Sequence, residues 1–228
     1  MKINTYHLIE GARQAKGVAV VIDVFRAFTV ECYLANNNAA LIMPVADKDF
    51  AYRLREQNPD YILLGEREGI MLPGFDYGNS PAQIENVDFS GRTIVHTTSA
   101  GTQGLENATG ADVILTGSLV NSKAIAGYIL KNGFKEVSLI AMGLAATSET
   151  PEDTLCAFYI ERLLSGYDDD ISAEIKQLKK TSGAKFFDPA KSEFPERDFA
   201  LCTELNKFNF VLKVEKAEGT LKCVKIGV

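Results

Sequence analysis

The chain has 228 residues, of which 46% are hydrophobic and 24% are charged, and its formal net charge is −6. This composition is typical of a globular protein that buries a large core. The sequence holds no apolar run of about 18 residues, so no membrane span is predicted, and its scattered basic residues argue against nucleic acid as the main partner.

Strand-like and helix-like segments alternate through the first two-thirds of the chain. This alternation indicates βαβ units, and therefore an α/β fold in which helices cover a largely parallel sheet. Strands are predicted at Gly17–Val24, Ala40–Val45, Tyr61–Leu64, Thr93–Thr97, Val113–Thr116 and Glu136–Ala141. Helices are predicted at Thr29–Asn36, Lys48–Gln57, Gly101–Asn107, Asn121–Asn132 and Pro151–Ser165.

The last quarter of the chain does not continue this regular alternation of strands and helices. A polar helix is predicted at Ile171–Lys180, a loop at Thr181–Arg197 and a further helix at Asp198–Lys207. Phe210–Glu215 and Thr220–Ile226 then alternate around the turn of residues 216–219, which predicts a closing hairpin. We expect one domain, with residues 1–165 as its core and residues 166–228 as a C-terminal elaboration.

Polar side chains follow five of the predicted strands, at the point where each strand ends. Since ligands bind at the carboxyl ends of parallel strands, we expect these five ends to meet at one sheet edge and to hold a metal, an anion or both. The five sets are Asp23 with Arg26, the segment 65–69 with Glu66 and Arg67, the segment 96–102, the segment 116–121 with Ser118, and the segment 143–153 with Glu152 and Asp153.

Two of these strand ends have open interpretations. From Thr97 to Thr102, hydroxyl groups precede a helix that Gly101 opens, and unpaired N–H groups at a helix start suit an anion. The alternative is that Thr98 or Ser99 merely caps this helix. The residues 65–81 have no clear periodicity, so they are either a functional loop whose Asn79 and Ser80 hold substrate or a packed surface loop.

A third interpretation concerns Glu152 and Asp153, which follow Thr150 and Pro151. Acidic residues after an N-cap and a proline are typical of a helix start, which explains both carboxylates without a metal. A metal role requires that they face the sheet edge.

Cys156 and Arg162 have the Cys-x5-Arg spacing of cysteine phosphatases, but the residues between them form a helix interior, so Cys156 is interpreted as a buried apolar residue.

Cysteine and histidine usage limits the kinds of metal site. The four cysteines form no Cys-x-x-Cys pair, and only two histidines are present, so a zinc site is not expected and a catalytic metal would be held by carboxylates. The first residues lack a hydrophobic signal segment. We therefore expect reduced thiols and a cytoplasmic protein.

Six motifs in order resemble the 2-phosphosulfolactate phosphatase family, over roughly residues 16–162. The family usually has leucine at position 25 and Thr-Asn at positions 99 and 100, so this chain lacks one amide side chain of the anion segment. The motifs are Asp23–Thr29, Gly65–Arg67, Pro73–Asp76 with Gly78–Pro81, Thr97–Thr102, Gly117–Ser118 with Asn121, and Glu152–Asp153 with Cys156–Ala157.

The resemblance implies a three-layer α/β/α fold and a Mg²⁺-dependent phosphatase. The implied reaction is hydrolysis of 2-phospho-3-sulfolactate, a small phosphorylated and sulfonated anion, to 3-sulfolactate and phosphate in coenzyme M biosynthesis. The resemblance also allows a homodimer. Asp23, Glu66 and Glu152 or Asp153 are expected to hold Mg²⁺ and Arg26 to bind a phosphoryl or sulfonate group, with Arg67, Asn79, Ser80, Thr97, Thr98, Gly101, Thr102 and Ser118 contributing substrate contacts.

Three alternatives remain open from the sequence. Asp23 could be the nucleophile that forms an aspartyl phosphate rather than a metal ligand. The protein could be a non-catalytic anion-binding protein on the same fold, although a pure anion binder gains nothing from so many acids. A cofactor-dependent oxidoreductase is disfavoured, because no Gly-x-Gly-x-x-Gly follows the first predicted strand.

Overall fold

A computed structural model describes residues 1–217 and 219–228 of the chain. The strands are β1 (Lys2–His7), β2 (Val18–Ile22), β3 (Leu41–Pro44), β4 (Ile62–Arg67), β5 (Ile70–Met71), β6 (Thr93–Thr97), β7 (Val113–Gly117), β8 (Glu136–Ala141), β9 (Phe210–Ala217) and β10 (Thr220–Gly227). The helices are α1 (Leu8–Arg13), α2 (Ala27–Asn36), α3 (Lys48–Gln57), α4 (Pro81–Ile84), α5 (Gly101–Asn107), α6 (Ser122–Lys131), α7 (Pro151–Leu164), α8 (Ser172–Leu178) and α9 (Glu196–Cys202).

Most predicted elements are confirmed, and β6, β8, α3 and α5 have the predicted bounds. Four elements were missed. β1 carries no apolar run and lies at the sheet edge, half exposed, where a strand needs no such run. α1 and α4 are short, and β5 pairs with the end of β4, so part of the expected loop is a hairpin. The predicted turn of residues 216–219 includes Glu218, which lies outside the described residues.

The described strands form one sheet, in the order β1-β8-β2-β7-β9-β10-β3-β6-β4-β5. The block β1-β8-β2-β7 is parallel, and so is the block β3-β6-β4. The C-terminal hairpin, expected as an elaboration, lies between them and pairs antiparallel with β7 and β3. Three antiparallel steps therefore separate the blocks, so the blocks run in opposite directions and the expectation of one shared sheet edge is wrong.

Carboxyl ends of both blocks nevertheless line one cavity, and both blocks pack against α2 and α5. One buried cluster holds Val21 of β2, Ile94 of β6, Phe28 of α2 and Leu105 of α5. Gly104 lets α5 approach β2, since a Cβ there would lie 2.6 Å from Val21 Cγ1.

The outer faces of the two blocks are covered separately. Helices α6 and α7 pack on the first block, and α3 packs on the second. Helices therefore lie on both faces of the sheet, which confirms the three-layer α/β/α architecture. Within the described residues, no helix combines the length and the hydropathy that a bilayer-spanning segment needs.

Candidate active site

A cavity of about 420 Å³ lies where the ends of β2, β4, β6 and β8 approach the first turn of α7. Four of the five predicted strand ends reach this cavity, and the one that follows β7 does not. Its wall includes Asp23, Arg26, Glu66, Asn79, Glu152 and Asp153 of the predicted set, together with Phe25, Ser99, Thr150, Ser182, Lys185, Lys191 and Phe194.

Asp23 directly follows β2, and two backbone N–H groups fix its carboxylate. Oδ1 accepts from Ala27 N at 3.1 Å, and Oδ2 accepts from Gly101 N at 3.0 Å. Burial raises the pKa of this carboxyl to about 7, with added repulsion from Glu66 and Glu152 and an opposing effect of the Ala27 N–H. Asp23 thus links the starts of α2 and α5 and holds a charge that a cation would stabilise.

Glu66 lies near the end of β4, and the neighbouring chain fixes both of its oxygens. Oε2 accepts from Gly69 N at 2.6 Å and from Ser99 Oγ at 3.1 Å, and Oε1 accepts from Ser99 N at 2.7 Å. Gly69 has φ +81°, and a Cβ there would lie 2.3 Å from Phe194 Cζ, so this turn requires glycine. The carboxylate is therefore held in one orientation on the cavity wall.

Glu152 and Asp153 both face the cavity from the first turn of α7, as a metal role requires. Asp153 accepts from Val24 N and Gly143 N, each at 2.8 Å. Burial raises its pKa well above the usual range, with repulsion from Glu152 and Asp23. Glu152 is 3% exposed, and its Oε2 has no hydrogen-bond partner in the part of the chain that the structure describes. Such an oxygen needs a ligand or water.

Arg26 lines the cavity, but most of its hydrogen-bonding capacity is used within the protein. Nη1 donates to Asp198 Oδ2 at 2.7 Å and to Glu193 O at 2.8 Å, and Nη2 donates to Gly69 O at 3.3 Å. Asp198 is fully buried and also accepts from Ser80 Oγ. Two of the five guanidinium N–H groups remain for a substrate, and the charge of Arg26 is already paired.

Asn79 presents its amide nitrogen to the cavity because a buried pair holds its oxygen. His96 Nε2 lies 3.3 Å from Asn79 Oδ1, and His96 Nδ1 lies 3.0 Å from Glu31 Oε1. In this orientation of the amide, Oδ1 faces the histidine ring and the NH₂ group is left for a ligand. His96 is thus a structural residue rather than a base in contact with the cavity, in agreement with its interpretation as part of a strand.

The remaining wall comes from the chain between α8 and α9, which includes a 3₁₀ turn at Ser182–Phe187. Lys185 points into the cavity with its Nζ 5.0 Å from the ring centroid of Phe194 and 6.0 Å from that of Phe25. Burial lowers the pKa of this ammonium, and Glu152 and Asp23 counteract the effect only in part. The cavity is therefore lined by acidic side chains and also by a lysine with aromatic rings around it.

The model of the 2-phosphosulpholactate phosphatase family matches residues 3–217. The chain belongs to this family. A Bacillus subtilis (strain 168) protein named "Probable 2-phosphosulfolactate phosphatase" is 31% identical over 91% of each chain. Proteins of the same name are 31% identical in Carboxydothermus hydrogenoformans, over 97% of this chain and 96% of the relative, and 38% identical in Caldicellulosiruptor saccharolyticus, over 71% and 70%.

Membership in the 2-phosphosulpholactate phosphatase family makes the chain an enzyme, a phosphoric monoester hydrolase. The resemblance found in the sequence is thereby confirmed, and the match extends well beyond the six motifs, from β1 into β9. The motifs that carry the resemblance supply Asp23, Glu66, Asn79 and Glu152 to the cavity wall.

Seven residues of the predicted site do not line the cavity, because their polar groups serve the scaffold. Thr98 and Thr102 bond each other across the start of α5; the N-cap residue is Ala100, but Thr98 Oγ1 accepts from Thr102 N and so caps an N–H group of the first turn. Arg67 donates to three oxygens, including Thr97 Oγ1. The others are Ser80, bonded to Asp198, Ser118, bonded to Thr29, and Gly101, whose N–H is bonded to Asp23. Direct substrate contacts of these residues stay predictions without support from the geometry.

Lys185 and Ser182 belong to the site but were not among the predicted residues. Both lie in the segment 181–197, which the sequence marks as a loop of unusual length with several aromatic residues. Loops of this length are usually functional, and the same argument singled out the segment 65–81. The length of the loop therefore indicated a functional segment. Nothing in the sequence, however, predicted that this loop would lie beside the strand ends that carry the acids.

The acidic wall fits a magnesium ion that is bound in part through substrate. Across residues 1–217 and 219–228, no group of three or more acidic, histidine or cysteine side chains is placed to hold a metal ion by itself. Mg²⁺ in phosphoryl-transfer sites is usually held by one or two carboxylates, several waters and the substrate phosphate. Asp23 and the unpartnered Glu152 Oε2 match this mode, and a cation there would relieve the repulsion that raises the pKa of Asp23.

Proposed function

We propose that this enzyme hydrolyses 2-phospho-3-sulfolactate to 3-sulfolactate and inorganic phosphate with the aid of Mg²⁺. The observation that carries the proposal is that Asp23, Glu66 and Glu152 line one cavity together with Arg26 and Lys185. Its volume of about 420 Å³ suits a small ligand. The name of the family and of its curated relatives supplies the substrate.

Asp23 and Glu152 would hold the metal ion, and Glu66 would bind it directly or through water. When bound, Mg²⁺ neutralises charge on the transferring phosphoryl group and polarises its oxygens. Ala27 N and Gly101 N orient the carboxylate of Asp23, so its position is set before substrate arrives. Positioning and charge neutralisation are the main requirements of phosphoryl transfer.

The protein groups on the other walls would bind the substrate. The amide NH₂ of Asn79 and the two remaining N–H groups of Arg26 can donate to phosphate or carboxylate oxygens. Phe25 and Phe194 add aromatic surface to the cavity wall. This arrangement favours an anionic phosphate ester over a neutral ligand.

Asp23 has two candidate roles, and we propose that it is a metal ligand. Both of its oxygens accept backbone hydrogen bonds, which stabilise the carboxylate and reduce its nucleophilicity. Position 25 is phenylalanine, where a haloacid-dehalogenase pattern would have a second aspartate. If Asp23 were the nucleophile, acid quenching during turnover would trap a phosphate group on it.

The test of the proposed function is phosphate release from 2-phospho-3-sulfolactate and a panel of small phosphate esters. We expect turnover with Mg²⁺ and its loss in the presence of a chelator, with recovery when Mg²⁺ is restored. Undiminished turnover in chelator would remove the metal from the proposal. Tight binding of the substrate without phosphate release in Mg²⁺ would instead favour a non-catalytic anion-binding protein.

The biological setting follows from the same proposal. We propose that the reaction serves coenzyme M biosynthesis and that the enzyme acts in the cytoplasm, where its buried free cysteines stay reduced. The homodimer and the lack of a nucleic-acid role stay predictions from the sequence. Sedimentation of the purified enzyme measures the first, and binding to labelled DNA and RNA measures the second.

A further inference from the structure

Lys185 is a cation in the cavity whose charge no neighbouring carboxylate pairs directly. In the described residues, no carboxylate oxygen lies within 4.0 Å of its Nζ. Arg26 differs, because its guanidinium lies 2.7 Å from Asp198 Oδ2. The strongest attraction that Lys185 experiences comes from Glu152, and Arg26 repels it. An anionic group of the ligand is the partner that this ammonium lacks.

Two hydroxyl groups on the cavity wall also lack partners. Ser182 Oγ and Thr150 Oγ1 are buried and have no hydrogen-bond partner within the described ranges. Ser182 and Lys185 are three positions apart in the 3₁₀ turn Ser182–Phe187, where side chains at this spacing lie on the same side. The wall therefore offers an ammonium and hydroxyl donors together.

The surroundings of Lys185 favour an anion of low charge. The ring centroids of Phe25, Phe186 and Phe194 lie 5.0–6.0 Å from its Nζ. A sulfonate carries one negative charge, whereas a phosphate monoester carries up to two, so a sulfonate loses less hydration energy among aromatic rings. The phosphate has a better position at the acidic wall, where a bound cation would neutralise it.

The geometry of the proposed substrate agrees with this division of the cavity. Its phosphate and sulfonate are carried on adjacent carbon atoms, so the phosphate can lie at the acids while the sulfonate lies at Lys185. We propose that Lys185, with the hydroxyl of Ser182 beside it, binds the sulfonate group and selects sulfonated phosphate esters. This inference rests on the proposed function, since it assigns one part of the proposed substrate to one part of the same cavity.

The experiment compares 2-phospho-3-sulfolactate with 2-phospholactate, in which a hydrogen atom replaces the sulfonate group. The readout is the ratio of the two kcat/KM values, measured with Mg²⁺. We expect Lys185→Met to lower the ratio about tenfold to hundredfold, which is the usual effect of losing a charge-assisted hydrogen bond. Lys185→Arg keeps the charge and should retain most of the preference.

The matched control is Lys180→Met, which removes an exposed lysine of the same region that does not line the cavity. Its ratio should equal that of the unchanged enzyme. A second readout needs no turnover: calorimetric titration with 3-sulfolactate should show weaker binding to Lys185→Met than to Lys180→Met. Circular dichroism and Tm establish that each variant is folded, and Ser182→Ala provides a smaller change in the same wall.

The outcomes separate the two proposals. If the unchanged enzyme hydrolyses neither ester with Mg²⁺, the proposed function fails, and 3-sulfolactate binding alone then decides the role of Lys185. If it hydrolyses both and Lys185→Met lowers both kcat/KM values equally, the proposed function stands and the sulfonate assignment is overturned. Equal binding of 3-sulfolactate by Lys185→Met and Lys180→Met would overturn it as well.

Discussion

The amide N–H of Gly101 donates to Asp23 Oδ2 at 3.0 Å, and this bond joins the two halves of the active site. Asp23 follows β2 in one parallel block, and Gly101 begins α5 after β6 in the other. A Cβ at position 101 would lie 3.0 Å from both Asp23 Oδ2 and Phe28 Cζ. The orientation of the carboxylate therefore depends on glycine at this position.

Gly101→Ala tests this dependence. The added methyl group should displace the Asp23 carboxylate and lower kcat about tenfold to hundredfold, since displacements of about 1 Å in an active site have effects of this size. Overpacking should also reduce the free energy of unfolding by about 1–3 kcal/mol. Phosphate release and urea unfolding measure the two effects. Gly227→Ala is the control, because nothing lies within 4 Å of a Cβ there.

Asp23→Asn tests the charge of the same side chain with its size unchanged. Asparagine has only one oxygen, so it cannot accept from both Ala27 N and Gly101 N. We expect kcat to fall about 10²- to 10⁴-fold and the apparent affinity for Mg²⁺ to fall with it. Titration of activity with Mg²⁺ gives both quantities. Full activity of this variant would exclude Asp23 as ligand and as nucleophile.

Glu152→Gln should change the stability and the activity of the enzyme in opposite directions. Glu152 repels Asp23 and Asp153 and raises the pKa of both, and its own Oε2 has no partner among the described residues. Without Mg²⁺, we expect the neutral side chain to increase stability by about 0.5–2 kcal/mol, which raises Tm by about 1–8 °C for a chain of this size.

The same variant should bind Mg²⁺ more weakly and turn over more slowly, because it lacks one metal-binding carboxylate. In thermal unfolding, Mg²⁺ should raise the Tm of the unchanged enzyme more than that of Glu152→Gln. A lower Tm of the metal-free variant would show that the acids do not repel one another as described. Glu161→Gln, on the exposed side of α7, is the matched control.

Asp198→Ala tests whether Arg26 depends on its buried partner. The pair is 3% and 0% exposed at the side chains, and Asp198 also accepts from Ser80 Oγ and Ala82 N. Removing one member of a buried ion pair typically reduces stability by about 3–5 kcal/mol. Urea unfolding of this variant and of exposed Asp112→Ala provides the comparison. A loss below about 1 kcal/mol would contradict a structural role for the pair.

Local sequence patterns determined most of the secondary structure and the chemical character of the site. The apolar run of β2 followed by Asp23, and the proline and acids that begin α7, each predict their element and their position in it. These signals are local because helix starts and buried strands depend on residues within a few positions. The resemblance to the phosphatase family then connected the separate strand ends.

Only the tertiary structure decided which polar residues face the cavity and which serve the scaffold. The central position of the C-terminal hairpin reverses one parallel block relative to the other, and no local pattern records a pairing such as Thr116 with Leu212 or Ile42 with Cys223. Thr98 therefore caps α5 instead of lining the cavity, while Lys185 reaches it from a distant loop. The sequence specifies the chemistry of each side chain. The direction in which that side chain points depends on packing between segments far apart in the chain.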